Sequence, residues 1–174
     1  MHHHEKTQQL KEIKNEDNVQ ILLLEIFKRM GYDEVIHAHK SGNNEYGRDF
    51  MLRSSHMTIK DYWTGVVVKH GKIGSSLANR VFDQVKECFT YGYSDEKHKD
   101  IRVNNVIVLS NNTISEGAKS KMNNNPDFSL YRANVEFWDC NTLVNIIDEY
   151  FEEHWLDSDK LIENFNNSVS DFIA

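Results

Sequence analysis

A chain of 174 residues with 39% apolar and 11% aromatic side chains is long enough to bury a core and short enough to fold as one domain. It contains no run of about 18 apolar residues and no basic n-region leading into an apolar h-region, so a membrane span and a secretory route are not expected and a cytoplasmic location is. The net charge of −7 weighs against nucleic-acid partners only if it is spread evenly, and its distribution along the chain decides that point.

Met1-His2-His3-His4 reads as a tag remnant or a chance run, and residues 1–16 as a polar leader, frayed or forming a short surface helix. From Asp17, Val19, Leu22, Leu23, Ile26, Phe27 and Met30 recur at helical spacing and Gly31 supplies the stop. Residues 35–39 suit a short strand, residues 41–47 a loop, Asp49 to Arg53 a second strand and Tyr62 to Lys69 a third. Ser75 or Ser76 can cap a helix whose Leu77, Val81, Val85, Cys88 and Phe89 share a face and which ends near Gly92.

After a charged linker, Asp95 to Asp100, the run Val103 to Ser110 suits a strand covered on both faces. A short helix from Ser115 to Met122, a strand from Val135 to Trp138 and a helix capped by Asp139 or Asn141 follow. A tail from Trp155 repeats apolar residues at helical spacing. The order α-β-β-β-α-β-α-β-α predicts an α/β sandwich with a central mixed sheet. Residues 17–150 form its core domain and 151–174 an acidic C-terminal helical segment. Cys88 and Cys140 lack metal-ligand spacing and read as reduced thiols.

Charge is strongly segregated. Residues 136–174 carry ten acids against Lys160 alone, whereas residues 53–80 carry Arg53, Lys60, Lys69, Lys72 and Arg80 against Asp61, with His56 and His70 besides. A polyanion would be drawn to that basic stretch. The acidic helices at the other end suit either a solvated face, or protein docking and self-association.

The basic stretch also contains the candidate lysine, Lys69. Asp49 heads one β-run and Lys69 ends the next, and adjacent antiparallel strands bring such residues within a few ångströms. A carboxylate there can hold a divalent metal while an ammonium orients water; a turn aspartate and a lysine emerging at a strand end are the plainer alternatives. Gln84 lies between Val81 and Cys88 on the apolar face of its helix and needs hydrogen-bond partners, either at a site or at a strand edge. Glu25 falls about 130° from the centre of its helix's apolar stripe, which favours solvent; Gln20 and Glu25 are the first-helix candidates for completing a metal shell.

Taken together, N-V-Q-I-L-L-L-E-I-F-K-R-M-G-Y, S-G-N-N-E-Y-G-R-D, V-V-V-K, the helix of Gln84, N-V-I-V-L-S and V-E-F-W-D-C-N-T-L resemble, in order and spacing, the PD-(D/E)XK nuclease superfamily, most closely its Mrr-like restriction endonuclease branch. The resemblance spans roughly residues 17–150 and implies a restriction-endonuclease-like fold and a Mg²⁺- or Mn²⁺-dependent endonuclease cutting DNA in restriction or phage defence, alone or as an effector domain of a longer protein. It implies Asp49 and the Val68 carbonyl as metal ligands, Lys69 at the attacking water, and Gln84 at the site or the scissile phosphate. Arg53, His70, Lys72 and Arg80 would meet the DNA backbone.

Two positions depart from the pattern. The acid or glutamine expected two residues before the lysine is Val67, and the first-helix acid is Gln20. Either Glu87 or Asp83 supplies a relocated carboxylate, or the domain is a decayed nuclease that binds nucleic acid or a protein without cutting.

Overall fold

The structure is a computed structural model that describes residues 1–38, 46–56 and 59–156. Its elements are α1 (His3–Lys11), α2 (Glu16–Arg29), β1 (Glu34–His37), β2 (Phe50–His56), β3 (Ile59–Lys69), α3 (Ala78–Thr90), β4 (Asn105–Ser110), α4 (Glu116–Asn123), β5 (Val135–Trp138) and α5 (Cys140–Tyr150). Short 3-10 turns lie at Pro126–Leu130, Arg132–Asn134 and Glu152–Trp155. The expected α/β class and central mixed sheet are present: the strands lie side by side in the order β1-β2-β3-β4-β5, antiparallel through β3 and parallel from β3 to β5.

Alternation along the two central strands builds both layers of the core. Val66 and Val68 of β3, with Ile107 and Leu109 of β4, pack with Leu23, Ile26 and Phe27 of α2 and Leu143, Val144 and Ile147 of α5. Val67, Val106 and Val108 point the other way, onto Val81, Val85 and Cys88 of α3 and Ala118 and Met122 of α4. A strand covered on both faces needs apolar side chains at every position, which is why V-V-V and V-I-V-L run without polar interruption. Met51, Trp63 and Tyr93 form a smaller cluster near the β1 side.

Several boundaries differ from the sequence expectation for identifiable reasons. Of the two readings of the N-terminal leader, the short helix is present rather than the frayed one: α1 buries Thr7 and Leu10 and ties to α5 through Lys6 Nζ and Asp148 at 2.6 Å. Asn15, whose side chain accepts the Asn18 N–H, starts α2 one residue before Asp17. Neither Ser75 nor Ser76 caps α3; they sit in a turn, α3 begins after Leu77 without a side-chain cap, and Leu77 is exposed rather than on the buried face.

Strand β4 begins at Asn105 because Asn104 closes its start, its backbone N–H donating to Trp63 O and its side chain accepting the Trp63 N–H. Ser115, expected as the first residue of its helix, caps α4 instead, and of the two expected caps of α5 it is Asp139 that serves, accepting from Asn141 and Thr142. Cys88 and Cys140 are buried and unbridged. The tail helix expected from Trp155 falls beyond residue 156, outside the described residues; Trp155 itself is buried, its indole donating to Asp148 at 2.6 Å.

Candidate functional site

The end of the sheet where β3 finishes and β2 begins brings together residues far apart in sequence. Asp49 immediately precedes β2 and is 8% exposed. Its Oδ2 accepts the backbone N–H of Val68 at 2.7 Å, so the carboxylate braces β3 one residue short of Lys69. Its Oδ1 accepts from the Gln20 side-chain amide at 3.1 Å, and Gln20 Oε1 lies 2.7 Å from His37 Nε2. Three elements, α2, β1 and the start of β2, thus converge on one buried carboxylate. The His37 ring is also stacked on Phe50 at a centroid distance of 4.6 Å.

The loop leading to Asp49 is pinned from behind. Gly47 has φ +77° and packs so closely on α3 that a Cβ there would stand 2.6 Å from the carbonyl oxygen of Gln84. Next to it, Arg48 is wholly buried and donates to the Tyr91 carbonyl at 2.5 Å and towards Met51 Sδ at 3.8 Å. Burial pushes the Arg48 guanidinium below its usual range. Composition marks Arg48 only as a neighbour of the loop; a fully buried arginine is a tertiary outcome, with no periodicity to announce it.

Lys69 is half-buried at the end of β3, on the α3 face by alternation with Val67. Gln84 is half-buried, and its buried Oε1 has no hydrogen-bond partner. The structure therefore brings Asp49 and Lys69 to one end of the sheet and sets Gln84 against the loop just before Asp49.

The other candidates are dispersed. Glu25 lies on the outer face of α2 and pairs with Arg29 at 2.8 Å. Asp83 and Glu87 are exposed on the outer side of α3, bordering a shallow groove with Lys86, Thr90 and Tyr91. Arg53 is occupied by Glu34 at 3.3 Å and Asp61 at 3.5 Å, four strand residues from Asp49 and so roughly 13 Å along the sheet. His70 is engaged with the Ile13 carbonyl at 2.6 Å.

Lys69, Lys72 and Arg80 are different: among the described residues no carboxylate pairs with any of them. They flank the β3–α3 connection, which Ser110 and Asn111 at the end of β4 hold in shape. Ser110 Oγ donates to Gly71 O at 2.6 Å, and Asn111 Oδ1 accepts the Gly71 N–H at 2.8 Å. The first turn of α3 has neither a capping side chain nor an acid, so its N–H groups and the three cations make one electropositive corner.

The donors at Asp49 do not by themselves complete the oxygen shell that Mg²⁺ takes. Among the described residues one carboxylate is present, both of its oxygens accept N–H groups, and Gln20 turns its NH₂ rather than its oxygen toward it. Val67 is fully buried among aliphatic side chains. Among the described residues no three His, Cys, Asp or Glu side chains converge as a cation site, and no helix is long and apolar enough to cross a membrane.

No protein-family model, no curated protein and no solved structure matches this chain.

Proposed function

We propose that the chain is a DNA-directed domain of restriction-endonuclease-like architecture that acts inside the cell, grips the phosphodiester backbone at the β3–α3 corner and does not cut it. The observation that carries this reading is the set of uncommitted cations, Lys69, Lys72 and Arg80, around the uncapped start of α3. Cations in the first turn of a helix oppose its dipole, so helix stability does not account for Arg80 there. Such contacts position a backbone without reading sequence.

Fluorescence anisotropy on a duplex oligonucleotide tests it. Lys69→Ala, Lys72→Ala and Arg80→Ala should each weaken binding and each flatten the salt dependence by about 0.9 in log–log slope. Unchanged slopes in all three would remove the corner from the interface.

The second reading is a Mg²⁺- or Mn²⁺-dependent endonuclease, and the arrival of Asp49 and Lys69 at one sheet end favours it. Plasmid incubated with either metal should then be nicked by the wild type and left intact by Asp49→Ala and Lys69→Ala. Equal, background-level products from all three proteins would leave the binding reading standing.

A further inference from the structure

We infer that the Gln20 amide, held by His37, stands where a divalent cation would meet Asp49, and that His37 is its positioning residue. The inference rests on the non-cutting reading above.

The hydrogen-bond chemistry allows one arrangement. An ionised carboxylate only accepts, so the end of the Gln20 side chain that faces Asp49 Oδ1 at 3.1 Å is its NH₂. That leaves Gln20 Oε1 facing His37 Nε2 at 2.7 Å. An amide oxygen also only accepts, so Nε2 carries the proton and donates.

Packing fixes the His37 ring in the orientation this requires. The imidazole stacks on Phe50 at 4.6 Å with an interplanar angle of 11°, and Phe50 is wholly buried against Phe27 of α2. Gln20 itself is 4% exposed in α2. The imidazole selects the amide orientation, the amide donates to Oδ1, and the Val68 N–H donates to Oδ2. The Asp49 carboxylate thereby accepts N–H groups from α2 and β3 where it is only 8% exposed.

A single atom separates this clamp from a cation site. Gln20→Glu replaces the donating NH₂ by an oxygen at the same place and keeps the oxygen that accepts from His37. Two carboxylates would then face each other about 3 Å apart, an arrangement that takes up a proton or a hard cation.

The probe is Mn²⁺ alone, titrated by electron paramagnetic resonance into the full chain. Gln20→Glu should bind one further Mn²⁺ at least tenfold tighter than wild type, and adding Asp49→Asn to it should abolish that site. The Asp49→Asn arm also separates this ion from any held by His2, His3 and His4. Wild type binding Mn²⁺ at Asp49 as tightly as Gln20→Glu would overturn the inference, as would a folded Gln20→Glu protein without the added site.

A measurement on the wild type keeps the inference testable if that variant does not fold. Nitrogen NMR should find neutral His37 protonated on Nε2 and the Gln20 side-chain amide protons slow to exchange, and His37→Phe should raise their exchange rate at least tenfold. An Nδ1-protonated ring, or amide protons already exchanging at the solvent rate, would overturn it. DNA binding is read separately by anisotropy, so failure of the corner as an interface and failure of the clamp give different results.

Discussion

Gly47 and the backbone of Gln84 touch: a Cβ on Gly47 would lie 2.6 Å from the Gln84 carbonyl oxygen and 2.9 Å from its Cα. The residue two before Asp49 is thereby seated on the middle of α3, and the helix sets where the carboxylate begins its approach to β3. Positive φ and the close backbone contact act together, and neither can relax by a side-chain rotation. Gly47→Ala should therefore lower stability by about 2–4 kcal/mol in urea denaturation. Gly31→Ala serves as the comparison: its φ is +79° with nothing within 4 Å, so it should lose only the conformational part, about 1 kcal/mol.

Removing the carboxylate strands two donors. Asp49→Ala leaves the Gln20 amide and the Val68 N–H without their acceptor in a buried place. It should destabilise the fold by about 2–4 kcal/mol. Asp49→Asn can present its amide oxygen to one donor only and should fall between Ala and wild type. Lys69→Ala, which breaks no hydrogen bond among the described residues, should melt within about 0.5 kcal/mol of wild type. Chemical denaturation of the three variants side by side checks the order.

Acid should release the N-terminal helix before the sheet. Burial of Asp148 opposes its charge, but hydrogen bonds from Lys6 and Trp155 outweigh that and hold its carboxyl below the usual aspartate range. A depressed folded value means stabilisation that is present above the unfolded-state value, about 3.9, and is lost as pH falls through the lower folded one. Amide hydrogen exchange should show α1 and the 152–155 turn losing protection as pH drops below about 4. Asp148→Asn should exchange faster in these segments at pH 7 and show little further change on acidification.

The two thiols should stay silent in the native protein. Burial pushes the Cys88 thiol up to about 12 and raises that of Cys140 as well, so neither side chain offers thiolate or access. A thiol reagent at pH 8 should find no reactive sulfur in the native chain and both after denaturation. Labelling of Cys88 at the native rate of a free thiol would mean that α3 opens readily from the sheet.

Much of the architecture was legible in the sequence because it follows from local period and from which faces are covered. The Val66–Val68 and Val106–Leu109 runs announce strands packed on both sides. Val19, Leu23, Ile26 and Phe27 announce the buried face of α2, and Ser115 and Asp139 announce helix starts. These features depend on residues within a turn or two of one another. The charge segregation is legible in the same way, and it pointed to the stretch where Lys69, Lys72 and Arg80 stand uncommitted.

What tertiary structure alone decided concerns partners distant in the chain. The pattern leading to Asp49 and Lys69 as a metal and water pair carries no information on what else reaches the carboxylate. That is settled by α2 laying Gln20 across the start of β2 and by β1 delivering His37, from positions 29 and 12 residues earlier in the chain. Glu87 and Asp83 show the converse. They are one turn or less from Gln84 in sequence, yet the 100° step of the helix carries them to the exposed side of α3. Sequence by itself determined the layers and the arrival of Asp49 and Lys69 at one end of the sheet, because both follow from strand order and alternation. The hydrogen-bond chain around Asp49 is a product of packing, because it depends on the angle at which a helix and an edge strand meet a third element.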